Sequence, residues 1–282
     1  MTAELARVWR RFSASWLPPV GLAASLALLF AARLAAASSP DPEYRRALVL
    51  SQVNDAAGVG LWAAVLVGAW LALRPDLEDG FDALERIGAA GFATARLALA
   101  AGWLLLVAVV LAAAVAMVTF DLGRFDAETL HLAALAANRL PFLVILLAAG
   151  TLVPPYLALV PALLLQGFGG DAAYDRVALA DGLVDDGVLV RAELSLRWAL
   201  PPPLVDPLPG ELLQGRSQAL GDFPVRQGPG IWGTDLIAAS TAADLGQWAV
   251  YVAALGVVFW LACRRRAAQV RRRTHLMPLR HG

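Results

Sequence analysis

The chain has 282 residues, of which 59% are hydrophobic and 16% are charged, and its formal net charge is zero. Its mean hydropathy is +0.62, whereas soluble domains average about 45–50% apolar and about 25% charged residues. The composition therefore predicts an all-α integral membrane protein. A single cysteine, Cys263, excludes an internal disulfide and a cysteine-based metal cluster. The three histidines are too dispersed for a haem or zinc site, and we expect no cofactor and no metal.

The first predicted element is an amphipathic helix over residues 1–16. Its apolar residues recur at helical spacing and three arginines lie alongside them. Such a helix lies on a membrane surface with its aromatic residues at the interface. The simplest interpretation is an interfacial anchor on the cytoplasmic side.

The membrane spans come next. A helix needs about 20 mainly apolar residues to cross the hydrocarbon core. Four stretches meet this requirement, namely Leu17–Ala37, Ala56–Leu73, Leu97–Thr119 and Leu245–Cys263. The first span is preceded by basic residues and followed by small residues, so it also resembles a secretory signal, but we assign it as a retained helix.

A second amphipathic helix is predicted over residues 75–95, between spans two and three. Its apolar and small residues alternate at spacings of four and three, which places them on one face of a helix; they are Leu77, Phe81, Leu84, Gly88, Gly91 and Ala95. Two interpretations stay open. The helix is either a connector that covers the ends of the two spans or a docking element for a cytoplasmic partner.

The apolar block over residues 127–168 is twice as long as one crossing. Gly150, Pro154 and Pro155 lie where a tight reversal would fall, so the block predicts spans four and five. Asn138 and Arg139 would lie near the middle of span four, where an arginine costs about 2.5–3.5 kcal/mol. They are candidates for a substrate path that accepts an anion. The alternative is an offset span that leaves Arg139 near a polar interface.

The charges at the chain ends predict the topology. The tail over residues 264–282 contains seven arginines and no acid, and the N-terminal segment is also basic. The positive-inside rule therefore places both ends in the cytoplasm, which requires an even number of spans. We predict six. A five-span alternative would run one kinked helix from Leu140 to Phe168 and would leave one arginine-rich end outside.

The six-span model leaves residues 169–246 outside as a segment with a formal charge of about −6 by direct count. This length exceeds what a connecting loop needs, so we expect it to have structure of its own. The basic tail beyond span six should set the topology and contact anionic lipid, and we expect no nucleic-acid binding.

Catalytic motifs are absent from the sequence. The chain contains no lysine, so it cannot form a GxxxxGK[ST] phosphate loop, and GxSxG, HExxH and CxxC do not occur. Under the six-span model, in which residues 120–128 lie outside, the parts of the chain inside the membrane contain no Asp or Glu, which argues against a proton-coupled or sodium-coupled carrier. We therefore do not expect an enzyme.

The order of elements resembles the permease subunits of ABC-2 type ABC transporters. Those chains have a cytoplasmic amphipathic helix, two spans, and a cytoplasmic segment often similar to E-x-G-T-x-x-x-L-L-x-x-P-x-x-R. Three more spans, an external segment and a last span with a basic tail follow. Glu78, Gly80, Phe81 and Leu84 stand where the cytoplasmic segment begins, and Arg96 stands near its basic end. Phe81 replaces the usual threonine, and the proline is missing.

The resemblance implies a bacterial inner-membrane half-transporter that exports a substrate. Two permease subunits, identical or different, would surround a central path, and a separate ATP-binding cassette subunit would energise transport. That subunit would dock on residues Glu78, Gly80, Phe81, Leu84 and Ile87. The external segment would offer a surface to a periplasmic partner.

A second hypothesis stays open from the sequence. The chain would then be a non-catalytic membrane anchor or assembly subunit of a larger membrane complex, and its external segment or its tails would make the contacts.

Overall fold

A computed structural model describes residues 2–37, 42–79, 81–120, 125–154, 156–165 and 242–276, with a few residues between 187 and 195. Over these ranges the chain is almost entirely helical and contains no strand. The helices are α1 (Thr2–Ser13), α2 (Leu17–Ala37), α3 (Pro42–Glu78), α4 (Asp82–Thr119), α5 (Phe125–Leu152), α6 (Tyr156–Leu165) and α7 (Ala242–Leu276). This arrangement confirms a helical protein with multiple apolar helices.

Five of the described helices are long and apolar enough to cross a membrane: α2, α3, α4, α5 and α7. Helix α6 is also apolar, but it is described over ten residues only. The sixth predicted crossing is therefore not shown. The predicted external segment, residues 169–246, lies mostly outside the described residues.

The block over residues 127–168 contains two helices, as predicted. Helix α5 ends at Leu152, and the backbone N–H groups of Leu157 and Ala158 donate to the carbonyl of Pro154 at 2.9 and 3.1 Å, which closes the first turn of α6. A proline cannot continue the hydrogen-bond ladder of α5. The five-span alternative required one long, kinked helix from Leu140 to Phe168; in the described part of that range, residues 153 and 154 separate α5 from α6.

Helices α3, α4 and α5 form the centre of the bundle, and α2 and α7 pack on the outside. Small residues allow close approach between neighbours. A methyl group on Gly60 would lie 3.0 Å from Cβ of Ser25 in α2, and one on Gly68 would lie 3.1 Å from the Trp103 ring in α4. Contacts of this kind stabilise helix pairs where lipid removes the hydrophobic driving force.

The predicted amphipathic helix over residues 75–95 does not form as a single helix. Residues 75–78 are the last turn of α3, and a turn containing Phe81 separates them from α4. Gly88 then interrupts α4 with φ 71° and ψ 167°, so residues 82–87 form a short helix and residues 89–119 form the long one. The predicted helical face therefore does not exist as one surface. We call residues 74–96 the hairpin end.

Candidate functional site

A buried ion pair joins the two helices of the hairpin end. Nε of Arg96 donates to Oδ2 of Asp76 at 2.6 Å, and Nη2 donates to Oδ1 at 2.6 Å. The side chains of Arg96 and Asp76 are 0% and 1% exposed. The Arg96 guanidinium also lies over the Phe92 ring, 4.6 Å from its centroid. Two parallel charge-assisted hydrogen bonds give this pair a defined geometry as well as energy.

The turn between α3 and α4 positions Phe81 inside the protein. Phe81 has a positive φ of 69°, which a bulky residue rarely adopts. Its backbone N–H donates to the Asp76 carbonyl at 2.8 Å, and its carbonyl accepts from the Leu84 N–H at 2.9 Å. The Phe81 side chain is buried in the core. The left-handed turn therefore rotates the aromatic ring inward, although the sequence pattern had placed it on a docking face.

Helix α7 contacts the same region. The guanidinium of Arg266 lies over the Phe81 ring, 4.5 Å from its centroid. One turn earlier, the buried Cys263 thiol lies beside the Thr151 hydroxyl of α5 and near the charges of Asp76 and Arg96. The last turns of α3 and α5 thus meet the second half of α7 beside the first part of α4.

Helix α1 packs against the bundle on the same side. Nη1 of Arg7 lies 3.3 Å from Oδ2 of Asp79 in the turn. Phe12 is buried and contacts the edge of Trp103 in α4, with ring centroids 5.3 Å apart, while Trp9 stacks on Phe12. The amphipathic helix is therefore in contact with the hairpin end.

A second group of polar residues lies inside the bundle. The Arg139 guanidinium stacks over the Trp62 ring of α3 at 4.2 Å, and Phe142 meets the same ring edge-on at 4.5 Å. Arg139 and Asn138 are each 8% exposed. Helix α5 begins at Phe125, several turns before Arg139. The arginine therefore lies within a packed helix pair, but the apolar span of α5, Leu135–Leu152, begins only one turn before it, which agrees with the offset alternative and not with a position near the middle of the span.

Comparison with protein-family models, with characterised proteins and with solved structures finds no match for this chain.

The predicted docking residues are not brought together on one surface. Phe81 and Leu84 are buried in the core, and Ile87 is partly buried. Glu78 is exposed and pairs with Arg74 at 2.8 Å, whereas Gly80 lies outside the described residues. The residues that the short helix exposes are charged: Asp82, Glu85 and Arg86.

The ion pair of Asp76 with Arg96 was missed by the sequence analysis. An acid just after one apolar span and an arginine just before the next were a usable signal, because the two helix ends of a hairpin lie side by side. In the part of the chain that the structure describes, no group of three or more His, Cys, Asp or Glu side chains could hold a metal ion.

Proposed function

We propose that the chain is the membrane-spanning permease subunit of an ATP-driven transporter, energised by a separate ATP-binding subunit and exporting an unidentified substrate. The observation that carries the proposal is the construction of the hairpin end. Asp76 and Arg96 connect α3 to α4 by two short hydrogen bonds, and the short helix beyond them exposes Asp82, Glu85 and Arg86. A partner bound to this short helix would displace α3 and α4 together.

The exposed charges define how such a partner would bind. Because Phe81 and Leu84 contribute to the core of the chain, an ATP-binding subunit would meet the charged face of residues 82–87. Charged contacts of this kind determine partner choice and association rate more than affinity. The apolar residues beneath would transmit the movement into the bundle.

Helix directions support six spans with both ends in the cytoplasm. The end of α5 and the end of the apolar part of α7 both lie near the buried ion pair, since Thr151 and Cys263 are neighbours there. Helix α7 begins at Ala242, which lies about 30 Å from Cys263 along the helix axis, at a rise of about 1.5 Å per residue. The chain between α5 and α7 would therefore return across the membrane, and α6 would begin that crossing. The arginines at the end of α7 favour the cytoplasmic side of a bacterial inner membrane.

The experiment is co-purification from the native membrane with mass spectrometric identification of the partners. A charge reversal at the exposed face, D82K/E85K/R86E, should release the ATP-binding subunit at unchanged expression. The matched control is D55K, which makes the same net change of charge at an exposed position at the opposite end of the α3 span and should retain it. Absence of any ATP-binding subunit from the wild-type preparation would refute the proposal.

A membrane anchor or assembly subunit is the second candidate function. It is favoured by the position of Arg139. This arginine stacks on Trp62 inside the bundle, and the stacking explains its position without a role in a substrate path. The same purification distinguishes the two functions. An assembly subunit would retain its partners in the D82K/E85K/R86E variant, and none of them would hydrolyse ATP.

The quaternary structure of the proposed transporter is a dimer of permease subunits, identical or different. Helices α2 and α7 expose most of their apolar surface within the chain, so they are available to lipid or to a second subunit. A periplasmic partner bound to residues 169–246 would be recovered in the same preparation.

A further inference from the structure

An open groove of about 450 Å³ lies between the α1–α2 connection and the last turns of α3. Residues 14–16 form one wall, and Leu71, Arg74, Pro75 and Glu78 form the other. This volume falls in the range of about 300–1,000 Å³ that is usual for small-molecule sites. The permease hypothesis assigns one of these residues, Glu78, to docking, but neither hypothesis assigns a ligand to the groove.

The groove lies at the level where the apolar helices begin and end. Trp16 immediately precedes α2, and its side chain is 68% exposed. Arg74 is the first charged residue after the uninterrupted apolar stretch Ala56–Leu73. Tryptophan and arginine at the ends of apolar spans mark the headgroup region of a bilayer. The molecules that reach such a groove in highest concentration are phospholipids.

Its charges are of both signs. Nε of Arg74 donates to Oε1 of Glu78 at 2.8 Å, and the two side chains are 50% and 56% exposed. A guanidinium binds phosphate through several N–H donors. A carboxylate accepts hydrogen bonds from a primary ammonium. The two groups together match a headgroup that carries both a phosphate and an ammonium.

We propose that this groove binds the headgroup of phosphatidylethanolamine. The phosphate would bind Arg74, the ammonium would bind Glu78, and the upper part of an acyl chain would lie against Leu71. An anionic headgroup such as phosphatidylglycerol would face the Glu78 carboxylate without a compensating cation. A choline headgroup has no N–H to donate to that carboxylate. Among the described residues that line the groove, Trp16 is the one aromatic side chain, whereas quaternary ammonium sites use aromatic cages.

The test is lipid retention by the purified full-length chain, measured by native mass spectrometry with phosphatidylethanolamine, phosphatidylcholine and phosphatidylglycerol of identical acyl chains. The wild type should retain phosphatidylethanolamine at least about tenfold better than the other two, the lower limit expected for one hydrogen bond to a charged group. Glu78→Gln should bring the ratio to phosphatidylcholine close to one. Arg74→Gln should weaken retention of all three lipids.

Matched controls are Glu85→Gln and Arg86→Gln, which neutralise an exposed acid and an exposed arginine of the hairpin end outside the groove. They should leave the lipid preference unchanged. Equal retention of the three lipids by the wild type would overturn the proposal, and so would a preference that survives Glu78→Gln. Displacement of the lipid by an equal concentration of soluble glycerophosphoethanolamine would also overturn it, because the site would then take a free headgroup. Thermal unfolding without added lipid checks that each variant is folded.

Discussion

The carboxylate of Asp76 accepts two hydrogen bonds from the guanidinium of Arg96, each 2.6 Å long, at the point where α3 and α4 meet. The two residues are 20 positions apart in sequence and are both inaccessible to solvent. Cys263 of α7 lies near the charges of the pair and beside the Thr151 hydroxyl of α5. The ion pair therefore connects α3 to α4 close to the contact between α5 and α7.

Replacement of Asp76 by asparagine should strongly destabilise the protein, because it removes the negative charge that compensates buried Arg96. The expected loss is roughly 3–5 kcal/mol of unfolding free energy. The double variant D76L/R96M should recover most of that loss, since it leaves no buried charge. Denaturation in mixed micelles, followed by tryptophan fluorescence, measures both effects.

The exposed pair of Arg74 with Glu78 is the matched control for the buried pair. Exposed ion pairs contribute roughly 0–1 kcal/mol, so Glu78→Gln should change the unfolding free energy little. If Asp76→Asn and Glu78→Gln lowered the unfolding free energy by equal amounts, burial of the ion pair would not be the reason for the loss.

Gly88 should not tolerate a side chain. Its φ of 71° and ψ of 167° lie in a region that is essentially reserved for glycine, so Gly88→Ala should cost roughly 1–3 kcal/mol. Gly91 provides the comparison on the same helix. An added methyl group there would meet Ile87 at 3.5 Å, an ordinary contact, and Gly91→Ala should be neutral or stabilising by up to about 1 kcal/mol. Similar melting temperatures for Gly88→Ala and Gly91→Ala would contradict the left-handed backbone conformation at Gly88.

Gly150 marks a close approach between α5 and α3. A Cβ atom at this position would lie 2.6 Å from Cδ1 of buried Leu73, and overpacking of this kind costs roughly 1–3 kcal/mol. Adding Leu73→Ala to Gly150→Ala should relieve the clash, so the two substitutions should couple by at least about 0.5 kcal/mol. The control is Gly102→Ala, because no heavy atom lies within 4 Å of the added carbon. Additive effects in the double-mutant cycle would show that α5 and α3 do not meet here.

Trp62 should stabilise Arg139 through the face of its ring. A desolvated cation–π contact contributes about 2 kcal/mol, so Trp62→Leu should lose at least that amount together with the packing of the ring against Phe142. A double-mutant cycle with R139L, W62L and R139L/W62L separates the cation–π contact from the packing of the Trp62 ring. Trp70→Leu on the same helix is the control, since Trp70 is 41% exposed and should contribute much less. Absence of coupling between Arg139 and Trp62 would contradict the stacked geometry.

Several elements could be predicted from the chain alone because each depends on a short stretch of residues. The apolar runs that became α2, α4 and α7 are recognisable by length and composition. The break between α5 and α6 follows from two consecutive prolines, because proline has no N–H to donate to a helix. The helix at Thr2–Ser13 lies where the amphipathic spacing had predicted one.

The docking face over residues 75–95 could not be predicted, because its geometry depends on two residues with positive φ. A periodicity of 3.6 residues holds only while the helix is continuous. The turn at Phe81 and the kink at Gly88 interrupt it, so side chains that share a face in the sequence pattern point in different directions. Phe81 and Leu84 consequently became core residues.

The composition of the chain is enough to predict a helical membrane protein, since transfer of each segment into the bilayer depends on that segment's own composition. Which residues meet depends on the packing of the helices. In helices that are apolar on every side, composition does not distinguish the face that packs against a neighbour from the face that contacts lipid. The pairing of Asp76 with Arg96, the stacking of Arg139 on Trp62 and the groove beside Arg74 and Glu78 all depend on how the helices pack. That packing is set by small residues at close contacts, such as Gly60, Gly68 and Gly150, and by the turn at the hairpin end.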